Sequence, residues 1–208
     1  MSKFLFPKIK HYCKELVAEA SLISEGRKAQ LAQLSTYISQ CYQQGATPKL
    51  IVICTHNSRR SHLGQTWLAI GADYFDLLPI GTFSGGTEAT AFNERAVRAL
   101  DELGLQVVAG EGSNPVYQLY WTYTMPPYKA FSKKYDTPPK PSKDFGAIMV
   151  CTEADEGCPI IPGAAFRIAL PFKDPKAFDG TDLEKEKYAE RCRDIGREML
   201  YVLSKVSY

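Results

Sequence analysis

The chain has 208 residues, enough for one domain of ordinary size, and its 45% hydrophobic and 23% charged residues exclude extensive disorder. Its 25 Lys and Arg nearly balance 23 Asp and Glu, a net charge of +2, so the basic excess that would suit nucleic acid or a membrane surface is missing. No apolar run approaches the roughly 18 residues of a membrane span. The early patch Phe4-Leu5-Phe6 is cut by Pro7 and Lys8 and has no cleavage site, so a cytoplasmic protein is expected.

In chain order, residues 1–46 read as a helical hairpin. Ile9, Cys13, Leu16 and Ala20 share one face, and Leu31, Leu34, Ile38 and Cys41 share another. Glu25-Gly26-Arg27 is the expected turn, and Gly45 with Pro48 ends the second helix. The hairpin offers a surface on which a homodimer could form. Residues 47–208 are expected to form the main domain. Leu50, Ile51, Val52 and Ile53 have the continuous apolar character of a strand buried on both faces of a parallel sheet. A polar loop follows, then a helix over about 61–74, and Thr82-Phe83-Ser84 suits a second strand. Asn93 caps a helix whose Ala96, Val97, Leu100 and Leu103 face inward, with Gly104 after its end. Gln106-Val107-Val108 suits a further strand.

Residues 110–144 are rich in Tyr and Pro and read as an insertion, with residues 116–121 its most extended piece. Apolar strands return at 145–150 and 166–170, and an amphipathic helix closes the chain over 183–206. Alternating strands and helices imply an α/β fold built on a mostly parallel sheet.

A reducing compartment disfavours a disulfide framework for the six cysteines. Cys13, Cys41 and Cys192 fall in helical patterns and read as small core residues. Cys54, Cys151 and Cys158 fall at strand ends or in loops, where chemistry concentrates. The central feature is Cys54-Thr55-His56-Asn57-Ser58-Arg59-Arg60-Ser61, a cysteine and an arginine with five residues between, set between a buried strand and a helix. A loop opening a helix aims free backbone N–H groups at one spot, and the helix dipole adds positive charge there. Such a nest binds phosphate-like anions, so residues Thr55, His56, Asn57, Ser58, Arg59, Arg60 and Ser61 are the expected oxyanion-binding set. Arg60 can clamp two anion oxygens, and the positive surroundings favour a Cys54 thiolate placed for in-line attack. Asn57 suits the positive-φ position that such a loop needs, and Ser61 can donate a hydrogen bond to the sulfur.

At these residues the chain resembles the low-molecular-weight protein tyrosine phosphatases and the thioredoxin-coupled arsenate reductases, which share a Cys-x-Gly-Asn-x-Cys-Arg-Ser loop. Cys54, Asn57, Arg60 and Ser61 match that loop, while His56, Arg59 and Gln65 replace its usual glycine, second cysteine and downstream glutamate. The resemblance continues through residues 83–88 and covers roughly 49–108 and 145–206. It implies a four-stranded parallel sheet flanked by helices, with the N-terminal hairpin and the insertion lying outside the shared fold. Cys151 and Cys158, with six residues between them in an acidic loop ending in Cys-Pro, resemble the redox segment that the reductases have and the phosphatases lack. The resemblance therefore implies an arsenate reductase in which Cys54 attacks the oxyanion, Cys151 releases arsenite, and Cys158 completes a disulfide that thioredoxin or a similar thiol donor reduces. Asp174-Pro175 matches the segment that supplies the general acid in both families.

Two other readings stay open. One is a phosphatase for phosphotyrosine or small phosphomonoesters acting through a Cys54 phosphocysteine; the other is a non-catalytic oxyanion-binding or redox-sensing regulator. No metal or cofactor is expected, since zinc would need two further ligands near the cysteine pair.

Overall fold

A computed structural model describes residues 4–208; the first three residues of the expected N-terminal hairpin lie outside it. Helix α1 (Pro7–Ala18) starts with proline at its first position, where no backbone donor is lost, and a 3-10 turn at Glu19–Leu22 leads toward α2 (Glu25–Gln43). The expected turn at Glu25-Gly26-Arg27 is incorrect. Ser24 caps α2 by accepting from the Arg27 N–H at 3.3 Å, so those residues form the first helical turn. Cys13 and Cys192 are fully buried, as expected, whereas Cys41 is only half-buried.

The next elements are β1 (Lys49–Cys54), α3 (Arg60–Tyr74), β2 (Gly81–Gly86), α4 (Glu94–Glu102) and β3 (Gln106–Ala109). The 110–144 region supplies β4 (Tyr117–Tyr120) and β5 (Tyr128–Ala130), and the chain continues through β6 (Phe145–Met149), α5 (Thr152–Gly157), β7 (Ala164–Ala169) and α6 (Glu184–Ser204). A four-stranded, all-parallel sheet has the order β2-β1-β6-β7. A second, antiparallel sheet has the order β3-β4-β5, so residues 106–109 pair with the inserted strands and not with the parallel sheet.

Leu50, Val52 and Ile53 in β1 are completely buried, as a central strand covered on both faces requires. Nearly all of α3 is buried because it lies between the sheet and α6. Asn93 caps α4 as expected, its side chain accepting from the Arg95 N–H at 3.0 Å. The chain winds from β1 to β2 on one side of the sheet and later adds β6 on the other side of β1, all strands running parallel. The carboxyl ends of these strands therefore open on a crevice of the kind in which α/β sheets bind ligands.

The acidic segment between Cys151 and Cys158 is helical, not the expected loop. Cys151 is extended at the cap position (φ −147°, ψ 149°), Glu153 and Asp155 oppose the positive end of α5, and Ala154 is buried. Among the described residues no helix is long and apolar enough to cross a membrane.

Candidate active site

The loop from Cys54 to Arg60 joins β1 to α3 at the carboxyl edge of the parallel sheet. Its shape is set by where its carbonyls go. Cys54 O accepts from Thr87 N (3.2 Å), Thr55 O from Glu88 N (2.8 Å) and Thr87 Oγ1 (3.1 Å), and Ser58 O from Asn93 N (2.8 Å). His56 O accepts from Ser132 Oγ (3.0 Å) and Thr90 Oγ1 (3.2 Å). A trans peptide points its N–H opposite its C=O, so the amides of Thr55, His56, Asn57 and Arg59 face the interior of the loop. That arrangement, at the start of a 15-residue helix, forms a concavity suited to an anion.

Asn57 takes the left-handed conformation with φ 45°, which curls the chain. Its side chain completes a directed set of hydrogen bonds. Lys133 N donates to Asn57 Oδ1 (2.9 Å), and Asn57 Nδ2 donates to Ser61 Oγ (2.9 Å). Ser61 Oγ lies 3.1 Å from Cys54 Sγ, with its own hydrogen left to point at the sulfur. Gly86 presses on the outside of the loop: a Cβ there would stand 2.3 Å from Glu88 O and 2.6 Å from both Thr55 O and Asn57 N, so no side chain fits.

Arg60 is buried beside the loop. Its Nη1 donates to Phe172 O (2.9 Å) and its Nη2 to Asp174 Oδ2 (2.6 Å), which brings the Asp-Pro segment after β7 to the anion loop. Asp174 also caps the short turn Pro175–Phe178 by accepting from Lys176 N at 3.0 Å. The Arg59 side chain turns away from the loop interior to Tyr188 and Asp179, so only its backbone faces the anion space. His56 is half-exposed, 3.5 Å from Glu88 Oε2. Ser58 is buried within the loop.

Cys151 follows β6 directly across from the loop. Its Sγ lies 3.4 Å from Thr55 Oγ1, it is fully buried, and burial pushes its thiol above the ordinary cysteine range. Cys158 is partly buried at the far end of α5. Cys54, Arg60, Asp174 and Cys151 are thus brought together, while α5 stands between Cys151 and Cys158. Among the described residues no cluster of three or more His, Cys, Asp and Glu could hold a metal ion.

Sequence reasoning missed several parts of this site. Ser132 reaches His56 O and Lys133 N reaches Asn57 Oδ1, each across 76 residues, and nothing local announces those contacts. Behind the loop, His62 is stacked on Phe92 at 4.0 Å, with its Nδ1 3.3 Å from Ser84 Oγ. Burial first, and the nearby Lys133 ammonium second, hold its imidazole down to about 3. Burial likewise lowers Lys133 to about 8. Residues 83–88, part of the resemblance noted above, did carry a signal, because Gly86, Thr87 and Glu88 all support the loop backbone.

No family model matches the chain. It is 28% identical over 149 residues to an arsenate reductase of Halalkalibacterium halodurans, covering 71% of this chain and 88% of the relative. An arsenate reductase of Bacillus subtilis is 27% identical over 150 residues, with the same coverage. Among solved structures, a mutant of YwlE from Bacillus subtilis superposes with a TM-score of 0.53 at 14% identity, over 76% of this chain and 97% of that one. A low-molecular-weight phosphotyrosine phosphatase from Vibrio cholerae O395 superposes with a TM-score of 0.50 at 17% identity, over 76% and 94%. Sequence likeness to the arsenate reductases and likeness of fold to a low-molecular-weight phosphotyrosine phosphatase thus meet in this chain, as its cysteine-and-arginine loop leads one to expect.

Proposed function

We propose that the protein is an arsenate reductase that uses Cys54, Cys151 and Cys158 in succession. The observation that carries this reading is the meeting of two features at one edge of the sheet. The anion loop holds Cys54 under Ser61, and a second thiol, Cys151, sits against the same loop at Thr55. A hydrolase needs the first feature only. Arsenate would enter the concavity on the inward amides, with Arg60 on two of its oxygens. The Cys54 thiolate attacks arsenic, an S–As bond forms, and the departing hydroxyl leaves as water on taking the Asp174 proton. Cys151 then attacks the Cys54 sulfur. The S–As electron pair goes to arsenic, which leaves as arsenite, and a Cys54–Cys151 disulfide remains. Attack by Cys158 on Cys151 moves that disulfide to Cys151–Cys158 and returns the Cys54 thiolate, so a thiol donor such as thioredoxin supplies the two electrons.

One observation favours hydrolysis of a phosphomonoester as a second reading. Burial keeps the Cys151 thiol protonated at rest, and α5 holds Cys158 away from it, whereas hydrolysis through a Cys54 phosphocysteine needs neither. The deciding experiment is arsenate-dependent NADPH oxidation with thioredoxin and thioredoxin reductase, beside aryl-phosphate hydrolysis. Sustained oxidation abolished by Cys151→Ser is the expected result. Arsenate turnover unaffected by that substitution would sink the relay, and hydrolysis without NADPH consumption would establish the second reading.

A further inference from the structure

Arg59 occupies the last loop position before α3, but its side chain leaves the loop. Its Nε donates to Tyr188 Oη (2.6 Å) and its Nη2 to Asp179 Oδ2 (3.0 Å), while Tyr188 Oη donates to Asp179 Oδ1 (2.7 Å). The pair is largely shielded, with side-chain exposures of 11% for Arg59 and 25% for Asp179, so the charge-assisted bonds are weakly screened. Arg95 also faces Asp179, at 3.9 Å, and Glu184 at 2.6 Å, and Glu184 accepts from Gly180 N at 2.7 Å.

Asp174 and Asp179 are the two ends of one short turn, closed by Asp174 capping Lys176 N and by Asp179 N donating to Lys176 O at 3.0 Å. The adjacent arginines Arg60 and Arg59 therefore pin the two ends of the same segment to the anion loop. Arg60 Nε is buried without a hydrogen-bond partner, so an oxyanion clamped side-on by Nε and Nη2 competes with Asp174 for Nη2, while Nη1 can stay on Phe172 O. When Arg60 turns to an anion, the contact between Arg59 and Asp179 is the tether that remains.

We propose that Arg59, acting through Asp179 and Tyr188, is a positioning residue that keeps Asp174 over the anion loop while Arg60 is occupied by the oxyanion. This rests on the reading of Asp174 as the proton donor. The test compares Arg59→Met, Asp174→Asn and the double variant in arsenate turnover with the thioredoxin system and in phenyl phosphate hydrolysis. Arg59→Met is expected to lower kcat about tenfold, with KM changed less than about twofold, a fraction of what a general acid contributes. Since Arg59 acts through Asp174, the double variant is expected to be no slower than Asp174→Asn alone. Arg59→Lys, which keeps the charge and the reach to Asp179, is expected to recover part of the loss. Losses that add in the double variant overturn the proposal, as does an unchanged kcat in Arg59→Met.

Amide hydrogen exchange tests the tether without turnover. The amides of Lys176 and Asp179 are expected to exchange faster in Arg59→Met, while those of Ile195 and Met199 in α6 keep their rates. Unchanged exchange at Lys176 and Asp179 overturns the tether. A wild-type protein that turns over neither substrate defeats the proposed function instead, and the exchange result still decides the tether.

Discussion

His62 shows how a single buried side chain ties the site to stability. Its ring lies under the anion loop, against Phe92, Ser84 and the Lys133 ammonium, and burial there holds it neutral down to about 3 against an ordinary 6.5. Between those values the unfolded chain binds a proton that the folded chain does not, so stability rises with pH across that window and is lost as the pH falls through it. One such proton is worth about 1.4 kcal/mol per pH unit. Stability should therefore fall by about 2 kcal/mol from pH 6.5 to about pH 5 on account of His62. In His62→Phe, which can still stack on Phe92, that part of the slope should vanish. Urea denaturation of both proteins at the two pH values measures it, and parallel slopes would refute the assignment.

Among the elements, α5 is the one that the proposed chemistry must break. Cys151 and Cys158 are seven residues apart at its two ends, roughly 10 Å along a helix, whereas a disulfide needs Cα atoms within about 7 Å. The Cys151–Cys158 disulfide therefore requires α5 to unwind. A six-residue helix that buries only Ala154 resists weakly, and Arg167, which bonds Asp155 and the Cys158 carbonyl, is its main outside anchor. After one turnover with arsenate and no thiol donor, peptide mapping should find Cys151 linked to Cys158, and the amides of Asp155 and Cys158 should have lost their protection. A linked protein with both amides still protected would contradict this. Short α5 was not legible in the sequence, where an acidic stretch ending in Gly157 has too few turns to show a period. The strand β1 and helices α3, α4 and α6 were legible because continuous burial or a sustained apolar stripe marks them. The loop with Cys54 and Arg60 was legible from its place between such elements. Its supports at Ser132, Lys133 and Asp179 were not, because each depends on chain brought from far away in sequence.

At the scale of the whole molecule, the N-terminal helices share one core with the rest. Leu16 meets α6 where Gly196 leaves room; a Cβ there would lie 2.8 Å from Trp67 Cε2 and 2.9 Å from Leu16 Cδ1. Ser35 Oγ donates to Val202 O at 2.9 Å, Arg27 pairs with Glu198 at 2.8 Å, and Tyr37 stacks on Phe166 of β7 at 4.8 Å. Ile9, Leu16, Leu31, Leu34 and Ile38 are each fully buried in the continuous apolar cluster. At about 2 kcal/mol each, these side chains alone approach the total stability of an ordinary domain, about 5–15 kcal/mol. Residues 47–208 by themselves would instead expose the faces of α6 and β7 that these side chains cover. The full chain should therefore unfold in a single transition with equal calorimetric and van't Hoff enthalpies, and the 47–208 fragment should lack a native near-ultraviolet circular dichroism spectrum. A fragment that folds cooperatively, or a full chain that unfolds in two steps, would make the N-terminal pair a separate appendage. A single transition would instead make it a wall of the same core that holds α3 and, through α3, the anion loop.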